Sequence, residues 1–352
     1  MATPATGGGA TSAGDGLQPS PARSAVFVYA GEGAGMRSML SAMDALKASL
    51  PGAATVTTLG PDDVLAGAWA ESAALLVMPG GADLPYCRAL AGPGNAAIAR
   101  YVSDGGSYLG LCAGGYYGAA RVDFEPGNAA MAVAGARELA FFPGAALGAA
   151  VPGFQYESEA GAAAVELAWR RVGPPPLPGG ASGGGGGGGA DGSNGPSSGL
   201  CEWRAARDYC NGGPVFARLD GQAWEDDDDG RVAVIARYAW APAAAEAATL
   251  TTAPSTSPAP AAAAGGGVAA VRVLIGRGAA VLCGTHPELA PAAAWLGGEG
   301  DHAVAALAAD LDANAADRAA FWGVLLEAAG VGRLMGGGGG GGGRGRGVTG
   351  RE

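Results

Sequence analysis

The sequence predicts an α/β domain: a mostly parallel sheet flanked by helices, with antiparallel additions in its C-terminal half. Two observations carry this. Short continuous apolar runs, the pattern of strands buried on both faces, end in glycine-containing loops and alternate with segments of helical period. In the second half strand-like runs succeed one another, and Val271–Ile275 with Ala279–Cys283 reads as a hairpin across Gly276-Arg277-Gly278.

Ala25–Tyr29 is the first buried strand. Residues 35–50 follow with apolar side chains at Met36, Met39, Leu40, Met43, Leu46 and Leu50, a helical spacing. Strands are expected at Ala54–Thr58 and at Ala74–Met78, the latter ending in Pro79-Gly80-Gly81. A helix is expected over Asn95–Val102 and a strand over Ser107–Leu111. Further strands are read at Ala164–Trp169, Pro214–Leu219 and Arg231–Tyr238. Residues 301–330 read as helical, with Leu307, Leu311, Phe321, Leu325 and Leu326 packing on the sheet. Strand ends, loops and helix starts then meet at one edge, where open α/β sheets bind ligands.

The chain has 352 residues, of which 67 are glycine, many in runs that build no core. The expectation is one domain over residues 24–330. It is preceded by a disordered segment 1–23 and followed by a Gly/Arg tail 331–352. Two disordered insertions, at about 174–198 and 241–267, lack hydrophobic periodicity; the first contains the run Gly183–Gly189. The acidic run Glu225–Asp229 reads as a solvated turn, since contiguous like charges rarely converge on one ion.

Net charge is −11 and basic residues are not clustered, apart from Arg344 and Arg346 in the tail, which argues against nucleic acid as a partner. No apolar run reaches the length of a membrane span, so a soluble chain is expected. The five cysteines, Cys87, Cys112, Cys201, Cys210 and Cys283, have no CxxC and no regular spacing. That argues against a disulfide framework and a zinc site, and no metal or cofactor is read. A reducing compartment, the cytoplasm, is the expectation. The Ala/Gly/Ser/Thr/Pro-rich start, with Arg23 and no apolar core, leaves an organellar transit peptide as the alternative.

Cys112 stands apart from the other cysteines. It ends the apolar run Tyr108–Leu111 and opens into a small-residue stretch, as on a tight strand-to-helix turn. Gly110 and Gly114 allow a sharp turn there, and free N–H groups at the following helix start favour a thiolate. His286, one of only two histidines, follows the apolar run Ala279–Cys283 and is the candidate general base. Glu288 would hold its imidazole in orientation, with a carboxylate at a helix N-terminus as the alternative. Backbone N–H groups of Gly80, Gly81 and Ala113 are candidates for receiving an oxyanion, an ordinary turn being the alternative at Gly80 and Gly81. Cys283 reads as apolar filler, and His302 as a surface residue.

Four blocks in order carry a family resemblance: residues 78–86 (MPGGADLPY), 110–118 (GLCAGGYYG), 209–214 (YCNGGP) and 284–288 (GTHPE). They resemble the class I glutamine amidotransferase-like superfamily, and within it the biotin-protein ligase N-terminal domain family, over about residues 24–330. The resemblance implies a flavodoxin-like sheet and a Cys112–His286–Glu288 triad for acyl or amide hydrolysis or transfer on a small-molecule amide or ester. It also implies a link to a biotin-pathway protein.

Departures narrow what it implies. Gly114 is followed by Gly115, Tyr116 and Tyr117 rather than the His-Gln pair common in glutaminases, so the glutamine-binding groups are unmatched. No biotin ligase catalytic region is read, and biotin ligation is not expected. Two other readings stay open. One is a PfpI-type hydrolase or deglycase-like protein, with Glu32 supporting the cysteine. The other is a catalytically silent regulatory module that binds a ligand or partner, with Tyr116, Tyr117, Tyr209 and Asn211 lining its pocket.

Overall fold

The computed structural model describes residues 23–175, 202–227, 230–240, 266–296 and 301–335. All of the expected N-terminal segment except Arg23, the Gly183–Gly189 run, nearly all of the second insertion and the stretch with Arg344 and Arg346 lie outside these residues. Among the described residues thirteen strands form one sheet.

Its parallel half is ordered β2 (Thr55–Leu59), β1 (Ala25–Tyr29), β3 (Ala73–Met78), β4 (Ser107–Leu111) and β13 (Gly278–Cys283). Register runs Val28 beside Val77, Val77 beside Leu109 and Leu109 beside Val281. The side chains of β3, β4 and β13 are buried throughout, as continuous apolar runs demand. Helices α1 (Met36–Ser49) and α9 (Ala315–Ala328) cover one face with Leu46, Phe321 and Leu325. Helices α2 (Pro61–Ala66), α4 (Asp83–Leu90) and α5 (Pro93–Ser103) cover the other with Val64, Tyr86, Leu90 and Ile98. A short α3 (Trp69–Ser72) leads into β3, and α6 (Ala113–Gly118) follows β4.

The antiparallel hairpin of β12 (Val268–Ile275) and β13 is where the sheet forks. Strand β11 (Val232–Tyr238) pairs along the far side of β12, then β8 (Ala163–Trp169) and β9 (Arg204–Cys210) continue that wing. The last β12–β13 pair is Ala270 with Cys283. At Val268, beyond the end of β13, Phe216 of β10 (Val215–Ala217) takes the vacated side. From β10 the second wing runs through β7 (Phe142–Gly148), β5 (Ala119–Phe124) and β6 (Val133–Ala136). The chain leaves the sheet at this fork through Gly284–Leu289.

Several expectations change. The α1 stripe is rotated: Met36 is 67% exposed and Leu40 41%, while Ser38, Ser41, Ala42 and Leu46 are buried. Residues 301–330 are two helices, α8 (His302–Ala313) and α9, broken at Asn314, whose amide donates back to the Asp310 carbonyl at 2.8 Å. Leu307 and Leu311 join a separate cluster with Leu289 and Leu296 of the loop and short helix α7 (Ala292–Trp295) rather than the sheet. The folded part extends past residue 330, because Val331 and Leu334, on a 3-10 turn at Gly332–Leu334, are buried in the core. Strands β5, β6, β7 and β9 were not among the expected elements. In the acidic run, Glu225 pairs with Arg237 and Asp226 with Arg170, while Asp228 and Asp229 lie outside the described residues.

Candidate active site

Cys112 sits between β4 and α6 with φ 48 and ψ −101, a conformation costly for a residue with a Cβ and found where surroundings enforce it. Its N–H donates to the Cys283 carbonyl at 2.8 Å, across the β4–β13 pairing, which sets the turn. The expected role of the flanking glycines changes. The positive φ belongs to Cys112 itself, whereas Gly110 and Gly114 permit close approach. A Cβ on Gly114 would lie 2.1 Å from the Met78 carbonyl, and one on Gly110 2.3 Å from the Gly114 carbonyl. The Cys112 sulfur is almost buried and lies 3.9 Å from the Asn211 carbonyl.

The loop after β13 brings His286 to the same point. Its N–H donates to the Tyr209 carbonyl at 2.9 Å, and its carbonyl accepts from Arg318 at 3.2 Å. Arg318 is fully buried and paired with buried Asp208 at 3.0 Å, so an ion pair beneath the loop fixes it from inside. Nδ1 of His286 lies 2.7 Å from Glu288 Oε1. The ring and Cys112 line the same cavity. Burial works to lower the imidazole pKa, but the Glu288 charge, the nearby Cys112 sulfur and the hydrogen bond to Glu288 raise it to about 10.

A residue that sequence reasoning missed completes this arrangement. Ser38, buried on α1, donates to Glu288 Oε1 at 2.8 Å and accepts from the Gly80 N–H at 2.8 Å. The polar chain is therefore Gly80, Ser38, Glu288, His286. Ser38 stands with Ser41 and Ala42 on the side of α1 away from the Met/Leu stripe, so hydrophobic spacing carries no signal for it. One expectation is corrected: the Gly80 N–H is committed to Ser38 and is not free for an oxyanion. The N–H groups of Gly81 and Ala113 have no partner among the described residues, Ala113 because it opens a helix. Gly80 still has to be glycine, since a Cβ there would stand 2.4 Å from His286 Cε1.

Cys112, His286, Gly80, Gly81 and Ala113 line an open cavity of about 690 Å³, with Tyr116, Tyr209 and Asn211 on its walls. Glu288 lies behind His286, fully buried. Tyr117 is not on a wall. It is fully buried on the other side of α6, bonding Asn95 and packing edge-on against Tyr86. Consecutive helical residues point about 100° apart, and here that turn carries Tyr117 away from the cavity that Tyr116 lines. Tyr116 donates to the Gly212 carbonyl at 3.0 Å. Tyr209 donates to Glu159 at 2.5 Å and accepts from Arg37 at 3.2 Å, and its ring meets the imidazole edge-on. Asn211 donates to the Ser158 carbonyl, and its own side-chain oxygen is buried without a partner among the described residues.

Glu32 is exposed and pairs with Arg88 at 3.1 Å, so it does not support Cys112. Burial pushes the Cys210 thiol up to about 12 and raises Cys283 further, as it raises Cys87, which leaves none of these a competing nucleophile. Cys201 lies outside the described residues. Among the described residues no three His, Cys, Asp or Glu side chains are grouped to hold a metal ion, and no helix is long and apolar enough to cross a membrane.

A family model described as "Biotin-protein ligase, N terminal" matches residues 24–174 and 198–334. The biotin–protein ligase of Schizosaccharomyces pombe is 51% identical over 94 residues, 27% of this chain and 15% of that protein. An uncharacterized protein of Chlamydia muridarum is 49% identical over 100 residues, 28% of this chain and 38% of that protein. The matched segments are thus well under half of either relative. Among solved structures, PurLQS from Thermotoga maritima aligns with a TM-score of 0.45 at 14% identity, over 86% of this chain and 98% of that one. A cytoplasmic protein from Salmonella typhimurium aligns at 0.32 and 12%, over 82% and 99%. At these scores neither likeness bears on the site. The family match spans both sides of the first insertion and takes in Cys112, His286 and Glu288, and the chain belongs to the biotin-protein ligase N-terminal family.

Proposed function

We propose that the chain is a cysteine-dependent hydrolase or acyl transferase acting on small amides or esters. The observation that carries this reading is the bonded series from Ser38 through Glu288 to an imidazole facing Cys112, on a strained strand-to-helix turn in an open cavity. With His286 held protonated at neutral pH, the Cys112 sulfur attacks the substrate carbonyl as thiolate. The carbonyl oxygen takes up charge beside the Gly81 and Ala113 N–H groups. Collapse expels the amine or alcohol, to which His286 gives its proton, leaving an acyl-cysteine. Neutral His286 then takes a proton from water, whose oxygen displaces the sulfur and releases the acid. Glu288 keeps Nδ1 protonated and the ring aimed throughout.

The test is mass spectrometry of the intact protein after incubation with a panel of amides and esters. Acyl adducts confined to Cys112, and loss of turnover by about three orders of magnitude or more in Cys112→Ser, are expected. Free glutamine should be a poor substrate, because Gly115, Tyr116 and Tyr117 stand where glutaminases carry His-Gln.

Family membership supports a second reading, a catalytically silent module that regulates a partner in biotin metabolism. Biotin or a carboxylase fragment binding wild type and Cys112→Ala equally, with no adduct on Cys112, is the outcome that would favour it. The PfpI-like alternative loses its support with Glu32 engaged in solvent by Arg88.

A further inference from the structure

The two walls of the cavity differ in chemistry, and the difference specifies an acyl group. One wall is an unbroken aromatic run. Tyr116, one helical turn after Cys112, packs edge-on against Phe124 at 5.7 Å; Phe124 meets Phe154 at 5.5 Å, and Phe154 meets Tyr156 at 5.0 Å. The run begins beside the sulfur and ends at the mouth, where Tyr156 is 49% exposed. Large aromatic side chains left half in water at the rim of a cavity are surface that a ligand can cover. The Tyr116 hydroxyl is already satisfied by Gly212, so that ring offers its apolar body.

The charges around the cavity are balanced or negative. Arg37 is held by Glu159 at 2.5 Å, and Asp83 by buried Arg137 at 2.7 Å. Glu157, exposed at the mouth, has no ion-pair partner among the described residues. Apart from His286 at the reacting end, no cation on these walls is uncompensated. An anionic tail would meet Glu157 and find no counter-charge, whereas a flat apolar tail would lie along the rings.

We propose that the site takes uncharged amides or esters whose acyl group carries an aromatic or similar flat apolar ring, seated along Tyr116, Phe124, Phe154 and Tyr156. As a substrate preference this rests on Cys112 being the nucleophile; as a binding preference it does not.

The test compares p-nitrophenyl phenylacetate, acetate and hemisuccinate, each normalised to its rate with hydroxide and corrected with Cys112→Ala. The expected kcat/KM is at least tenfold higher for phenylacetyl than for acetyl, with hemisuccinyl lowest. Tyr156→Ala, a change at a half-exposed position, should cut the phenylacetyl-to-acetyl ratio at least threefold, and Glu157→Gln should raise the hemisuccinyl rate. Equal rates for the three esters would overturn the preference while leaving the cysteine reading in place. If none is hydrolysed above the blank, the cysteine reading fails, and saturation-transfer NMR on Cys112→Ala decides the binding preference. Phenylacetamide binding that Tyr156→Ala weakens supports it; no binding, or stronger binding of succinamate, overturns it.

Discussion

Ser38 donates to Glu288 at 2.8 Å across 250 positions of sequence, joining the first helix of the fold to the loop after its last strand. The same hydroxyl accepts the Gly80 N–H, so one side chain holds both the carboxylate that orients His286 and the backbone that passes beneath the ring. Ser38→Ala leaves Gly80 N–H and Glu288 each short of a partner in a buried place, which costs about 1–3 kcal/mol. Turnover is expected to fall by about tenfold or more, with the His286 titration displaced. A variant of wild-type activity and unchanged His286 titration would make Ser38 a packing residue only.

The His286 ring supplies a pH test. An unfolded-chain imidazole titrates near ~6.5, and the folded state raises it to about 10, chiefly through Glu288 and Cys112 acting against burial. Its contribution to stability is therefore fully present below the unfolded value and is lost as pH rises through about 10. Only His286 and His302 contribute ring signals to an NMR titration. The His286 midpoint should lie well above that of a free histidine, and should drop in Cys112→Ala, which removes the sulfur's share. Two midpoints near the ordinary value in wild type would mean that sulfur and ring are not paired.

The Arg318–Asp208 pair lies under the His286 loop with neither side chain exposed. Burial raises the Asp208 pKa against the pull of Arg318. Removing either partner strands a charge, so Asp208→Ala or Arg318→Met should destabilise the fold by about 3–5 kcal/mol in denaturant unfolding. A double replacement by apolar residues should recover much of that loss.

Gly80→Ala brings a methyl group to within 2.4 Å of His286 Cε1 unless the ring moves. The expected result is a folded protein with turnover reduced by about two orders of magnitude, since a misplacement of about 1 Å is costly in a positioned site. Crystallography of the variant should find the imidazole turned from Cys112.

Glu32→Gln breaks an exposed pair with Arg88, worth about 0–1 kcal/mol. Activity and melting temperature should both stay at wild-type values. A large loss of activity would restore the PfpI-like assignment of a glutamate after the first strand.

Legibility in the sequence followed how local each signal is. The core strands were readable because β3, β4 and β13 are buried on both faces and show as continuous apolar runs. The wing strands β5, β6 and β7 were not, since Ala, Gly and Pro within them blur both the run and the alternation. Cys112, His286 and Glu288 each end or follow an apolar run. Ser38 looks like any helical serine until the topology sets α1 against the His286 loop, and the same contact takes the Gly80 N–H from its expected use. Tyr117 points about 100° round α6 from Tyr116, and here that turn carries it into the packing against Tyr86.

The forking of the sheet at β12 divides labour between two wings. Tyr209, whose carbonyl receives the His286 N–H, closes one wing, while Phe124 and Val133 of the ring-lined wall stand on the other. Side chains on β5 and β6 can therefore be exchanged without a hydrogen bond of the Ser38–Glu288–His286 series being touched. A fold so divided is a chassis for re-engineering: acyl preference can be redrawn on one arm while the reacting groups, pinned by the other arm and by the parallel core, stay where they are.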